Sequence, residues 1–176
     1  MKKLLAIVMA LCLALTAVAV FAESNESVKT INWTEYQEKA AAAGGELTPI
    51  NGTDLQIFIP KEFKETKLDE DAIAKGYIFV LKTEDGKAIA NLQLVKLDVE
   101  AFKTQVAESG AVNLTAMDIN GVKCTNFNVV AEGVLSTCIA VGTDQGSTLV
   151  FSFSPANQDP YTDLFRIMVA SLQHAA

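Results

Sequence analysis

Ile-Asn-Gly occurs twice in this chain, at Ile50 to Gly52 and at Ile119 to Gly121, each time between apolar runs of strand length. Asn-Gly in that setting suits the two positive-φ positions of a tight hairpin turn, so the flanking runs become antiparallel neighbours. Leu47 to Ile50 and Leu55 to Ile59 form one such pair, closed by Pro60. The second opens a meander of four strands, Val112 to Ile119, Val122 to Val130, Val134 to Val141 and Thr148 to Phe153. Asn120-Gly121, Glu132-Gly133 and the stretch Gly142 to Gly146 separate them. Two independent uses of the best hairpin dipeptide account for the repeated tripeptide; a duplication is the alternative reading.

Around these hairpins the pattern changes to helical spacing. Asn32 with Glu35 three residues on is a capping-box spacing, and Trp33, Tyr36 and Ala40 share a face before Gly44-Gly45 stops the helix. Lys61 to Gly76 is charged and mixed, with a helical turn around Asp71 to Ala74. Tyr77 to Leu81 is a continuous apolar run, the pattern of a strand covered on both faces. Glu84-Asp85-Gly86 turns it into a strand in which Ala88, Ala90, Leu92 and Leu94 alternate with Ile89, Asn91 and Gln93. Asp98 caps a helix whose Val99, Phe102 and Val106 share a face, and Gly110 ends it. Asp159 as cap and Pro160 as first residue open a last helix, with Tyr161, Leu164, Phe165, Met168 and Leu172 on its apolar side. Short antiparallel links with interspersed helices predict an α+β fold: a twisted, mostly antiparallel sheet with helices packed on its faces, an α/β/α sandwich.

The N-terminus reads as an export signal. Lys2 and Lys3 precede the apolar run Leu4 to Phe21, and Val20-Phe21-Ala22 offers small residues at a cleavage site between Ala22 and Glu23. The competing reading is a membrane anchor, but no basic stop-transfer cluster follows; Cys12 lacks the Gly or Ala before it that lipidation needs. The expected organisation is a signal peptide over residues 1–22, a flexible lead-in over 23–30 and one α+β domain over 31–176. The expected location is secreted or extracytoplasmic, in the cell envelope. Loss of Lys2 and Lys3 leaves 12 Lys and Arg against 21 Asp and Glu, a net charge of −9, with Arg166 the one arginine. Nucleic acid and anionic membrane surfaces require a basic patch, so neither is an expected partner.

Reactive residues are few. The one histidine, His174, stands three residues from the end in a tail expected to fray, so no Ser- or Cys-type catalytic site has its usual base. With Cys124 and Cys138, it completes the mature chain's stock of His and Cys, too few for a zinc site and no basis for any cofactor. Glu62, Glu65, Asp69, Glu70 and Asp71 lie within ten residues. Paired acids can cleave glycosidic bonds or bind calcium, but such clusters are more often a solvated face. Trp33 is the one tryptophan, and Phe79, Phe127, Phe151, Phe153 and Phe165 alternate into a core rather than forming sugar platforms. Four Asn-x-Ser/Thr sequons, at Asn25, Asn32, Asn51 and Asn113, are expected to be unmodified because the signal has a bacterial form.

An even pair of cysteines in an exported chain is more often bridged than free. Cys124 and Cys138 share parity in consecutive strands, and a three-residue turn over Val130 to Glu132 would set them opposite each other. A one-residue slip would not. Two small buried thiols packing like alanine are the alternative.

An early strand ending in Ile57-Phe58-Ile59-Pro60, the Asn120-Gly121 hairpin entering a late meander, and a closing helix from Tyr161 to Ser171-Leu172 together resemble the Mog1/PsbP group. The likeness covers most of Leu47 to Leu172. It implies an antiparallel sheet with helices on both faces and a non-catalytic domain that binds a protein partner; no functional residue of that group has a counterpart here. Signal and layout are also similar to small exported proteins of Gram-positive gut bacteria. The resulting expectation is a secreted or envelope-associated binding domain, not an enzyme. The alternatives are a carboxylate-dependent glycan hydrolase and a calcium-stabilised structural protein.

Overall fold

The computed structural model describes residues 28–175. The expected signal peptide, its cleavage point between Ala22 and Glu23, and the first part of the lead-in lie outside them. The chain is α+β, with an eight-stranded sheet, a second sheet of three strands, and short helices between.

The large sheet contains β1 (Lys29–Ile31), β4 (Phe63–Glu65), β5 (Tyr77–Thr83), β6 (Ile89–Val95), β7 (Val112–Ile119), β8 (Val122–Ala131), β9 (Val134–Gly142) and β10 (Thr148–Ser154). Their order is β1-β7-β8-β9-β10-β6-β5-β4, antiparallel throughout except that β1 runs parallel to β7. The expected meander forms, and β10 carries it onto the β5–β6 hairpin through Phe151↔Leu92. The small sheet is β2 (Gly45–Pro49), β3 (Leu55–Pro60) and β11 (Gln173–His174), in the order β11-β3-β2.

Four α-helices cover the sheets: α1 (Gln37–Ala43), α2 (Glu70–Ala74), α3 (Val99–Glu108) and α4 (Tyr161–Ala170). Asp98 caps α3 as its sequence suggests, accepting from the Glu100 and Ala101 N–H groups at 3.0 and 2.9 Å. Strand alternation then divides the large sheet into two unlike faces. One face meets α4 and the small sheet in a single apolar cluster, with Leu92, Leu149, Phe151 and Phe153 below Ile57, Phe165, Met168 and Leu172. The opposite face packs Phe127, Ala140 and Val150 against Phe102 and Val106 of α3, and Tyr77 and Val80 against Ala72 of α2.

Several local expectations are corrected. Asn32 makes no capping bond to the backbone; a single 3-10 turn, Trp33–Glu35, comes first and α1 starts at Gln37. The lead-in does not run to Thr30, because Lys29 and Thr30 pair with Met117 and Asp118. Pro160 is the cap of α4 rather than its first residue, and contributes no side-chain bond. Phe63–Glu65, read as part of a charged loop, pairs with β5, and the tail expected to fray is β11, paired with β3.

Candidate functional site

The expected Cys124–Cys138 bridge does not form: both are free, buried thiols. A two-residue turn decides this. Ala131 pairs with Val134 across Glu132-Gly133, both of which have positive φ (51° and 78°), so Cys138 stands opposite Phe127. That register places Cys124 in the cluster beneath α4 and Cys138 in the cluster beneath α3, on opposite faces of the sheet. Burial raises the Cys124 thiol to about 12, helped by the nearby Asp118 charge. Burial likewise raises Cys138 to about 11, opposed in part by its contact with the Ser152 hydroxyl. Both stay protonated near neutral pH, the wrong state for a nucleophile or metal ligand.

The acidic run disperses. Asp69 caps α2, accepting from the Ala72 N–H at 2.8 Å. Glu65, Glu70 and Asp71 are exposed. Among the described residues no group of three or more His, Cys, Asp or Glu is placed to hold a metal ion. Glu62 turns away into a cleft of about 670 Å³ between β4, the β5–β6 turn and the start of α4. Glu84, Asp85 and Asp163 also line that cleft, with Lys61 and Lys64 at its edge and Tyr161 and Leu164 along its wall. Asp85 is held by three donors: the Tyr161 hydroxyl at 2.6 Å, the Thr83 hydroxyl at 2.7 Å and the Lys87 N–H at 3.1 Å. Those bonds, Tyr161 first, keep its carboxyl well below the usual range. Asp163 pairs with Arg166. One oxygen of Glu62 is shielded from solvent without a hydrogen-bond partner.

A second cleft, of about 710 Å³, opens at the end of the sheet where the turns containing Gly52, Gly121 and Gly142 meet. His174 stands in its wall with Nδ1 2.6 Å from Asp54, whose carboxyl that bond lowers. The pair resembles the base and orienting carboxylate of a hydrolytic triad, but the hydroxyls beside it are engaged. Thr53 and Thr143 each donate to a backbone carbonyl and accept from a backbone N–H.

Sequence reasoning read Asn120 only as a turn residue. In the structure its carboxamide joins three segments. Its Oδ1 accepts from the Trp33 N–H at 2.6 Å, and its Nδ2 donates to the Ala170 and Leu172 carbonyls, both at 2.8 Å. Its own N–H donates to Ile31. Nearby, buried Ser171 accepts from the Phe58 N–H at 2.7 Å and donates to Met168, tying the small sheet to α4. Helix α4, the β3 backbone and the β7–β8 turn are therefore one rigid frame, leaving β2 as the outer strand of the small sheet, paired on one side only. Glu46, Leu47 and Pro49 on that strand are exposed.

No known family matches this sequence, and no curated protein does. Among solved structures, a protein from Bacteroides thetaiotaomicron superposes with a TM-score of 0.51 at 17% identity, over 75% of this chain and 49% of that one. This chain thus spans about half the length of that protein, and what the two share is the fold.

Proposed function

We propose that this chain is an exported, non-catalytic domain, held in the cell envelope or released, that works by binding a protein partner. The observation that carries the reading is the free edge of β2, five residues long, beside a frame fixed by Asn120 and Ser171. An unpaired edge on a rigid support is suited to strand addition by an extended segment, in which backbone hydrogen bonds give affinity and alternate side chains give register. Further support comes from the reactive groups: two protonated buried thiols, an Asp85 fully engaged with donors, and a His174–Asp54 pair without a nucleophile. Kinship with the Mog1/PsbP group belongs to the same proposal, and the covered sheet is compatible with it.

A photo-crosslinking residue at Leu47 tests the edge, with Val130, exposed on the large sheet, as control. One saturable adduct from Leu47 and none from Val130 is the expected result. Equal labelling from both positions overturns it.

One observation favours the hydrolase reading: Glu62 carries an unpartnered oxygen in a cleft with three other carboxylates. Glycosidic cleavage needs a protonated acid facing a free carboxylate. Asp85 and Asp163 already have partners. Glycan turnover abolished by Glu62→Gln would establish that reading in place of the binding domain.

A further inference from the structure

The groove between α4 and the outer strands of the large sheet differs from the rest of this acidic chain. It encloses about 370 Å³, a volume suited to a small organic molecule, and no carboxylate lines it. Its floor is apolar, formed by Met117, Ile139 and Phe165 with Ile31 and Val169 beside them. Two cations stand over that floor, Lys29 from β1 and Arg166 from α4. Arg166 is two-thirds exposed and bonds Asp163 through one nitrogen at 3.1 Å, which leaves most of its five N–H groups available.

Among the remaining polar groups are two amides, while the Thr137 and Thr162 hydroxyls donate to Asn126 Oδ1 and the Ala156 carbonyl. Asn126 and Asn128 point from β8 to this face, two residues apart on the same side of the strand. Thr137 donates to Asn126 Oδ1 at 3.2 Å, which fixes that amide and leaves its NH2 without an acceptor among the described residues. Asn128 has no side-chain hydrogen bond among the described residues, and Tyr36 lies on the same wall. Two cations, two amide donors and a tyrosine around an apolar floor, in a chain of net charge −7, call for a negative ligand with an apolar body. Planar guanidinium and paired amides match a carboxylate in particular.

We infer that this groove binds a small organic acid, its carboxylate held between Arg166, Lys29 and the Asn126 and Asn128 amides, and its apolar part laid on Met117, Ile139 and Phe165. The site is separate from the β2 edge, and either can exist without the other. Titrating the purified chain with hexanoate, phenylacetate, hexylammonium and inorganic phosphate, followed by nuclear magnetic resonance shifts, reads it directly. Saturable binding of both acids is expected, with shifts at the Asn126 and Asn128 amides and at Arg166, and none from hexylammonium. Arg166→Gln and Asn128→Asp are each expected to weaken binding about tenfold, the loss of one charge-assisted contact or the gain of a repulsive one. Spectra unchanged away from the groove show that the variants are folded. Three results overturn the inference: no saturation by either acid, affinity indifferent to both substitutions, or phosphate binding as tightly as the acids.

Discussion

The two faces of the large sheet solve the same problem differently. Beneath α4 and the small sheet, the inward residues of β6 and β10 are apolar along their length, and twenty buried side chains form one continuous cluster. Beneath α2 and α3, β6, β9 and β10 present Asn91, Gln93, Ser136, Thr148 and Ser152, all buried, and the apolar residues fall into two separate groups. Ser152 lies between Asn91 and Cys138 in strand register, so the polar band runs across the middle of the sheet. Neither apolar group beneath α2 and α3 includes that band. The first face therefore holds most of the stability, while the second depends on local hydrogen bonds.

The same large-to-small change on the two faces gives the largest expected effect. Phe153→Ala, in the large cluster with the Phe165 ring 5.3 Å away, is expected to cost about 5 kcal/mol in urea denaturation, at the top of the usual range. Phe127→Ala, in the smaller cluster with Phe102, is expected nearer to 3 kcal/mol, since α3, held by fewer buried side chains, can settle into the space. Equal costs would break the contrast.

Next in size is the joint that fastens the first face. Asn120→Ala removes three side-chain bonds and a residue suited to φ of 52°, an expected loss of about 3 kcal/mol. Asn120→Gly keeps the backbone and separates the two contributions; about 2 kcal/mol is expected to remain lost.

The thiols, one per face, give a smaller effect that depends on pH. Their folded values, about 12 and about 11, lie above the ordinary 9.0, so the unfolded chain loses its protons first. Stability from this source is intact below pH 9 and falls as pH rises towards the folded values, by about 2 kcal/mol between pH 9 and 10 for the two together. Denaturation midpoints of the native chain and of the Cys124→Ala, Cys138→Ala double variant read it; parallel pH curves would refute it.

The smallest change is expected at the polar band itself. Asn91 Oδ1 is buried without a hydrogen-bond partner, so Asn91→Leu removes a desolvated oxygen and is expected to shift stability by less than about 1 kcal/mol. A large loss would show that the band is held by a network centred on Asn91.

Much of this architecture is legible in the sequence, because hairpins and helix caps are local. The four strands of the meander and the Asp98 cap follow from residues close together in the chain. What is not legible depends on distant partners. Lys29–Ile31, three residues long and polar, becomes a strand only because β7 offers its edge, and Gln173–His174 only because β3 does. The cysteine error was one of parity: Glu132 accepts positive φ beside Gly133, which shortens the turn to two residues and sends Cys138 to the other face. The groove under α4 was not legible, since Lys29, Asn126 and Arg166 come together only after the sheet and helix are assembled.

The Asn120 joint also sets an order of events. Its partners lie 87 residues before it and 50 and 52 residues after it, and the last of them is Leu172. A chain that emerges from the ribosome N-terminus first cannot close this joint until Leu172 is free. Contacts of such span are slow to form because the intervening loops must first be ordered. Early segments thus remain unlocked until Leu172 is free, and the frame acquires its rigidity only then.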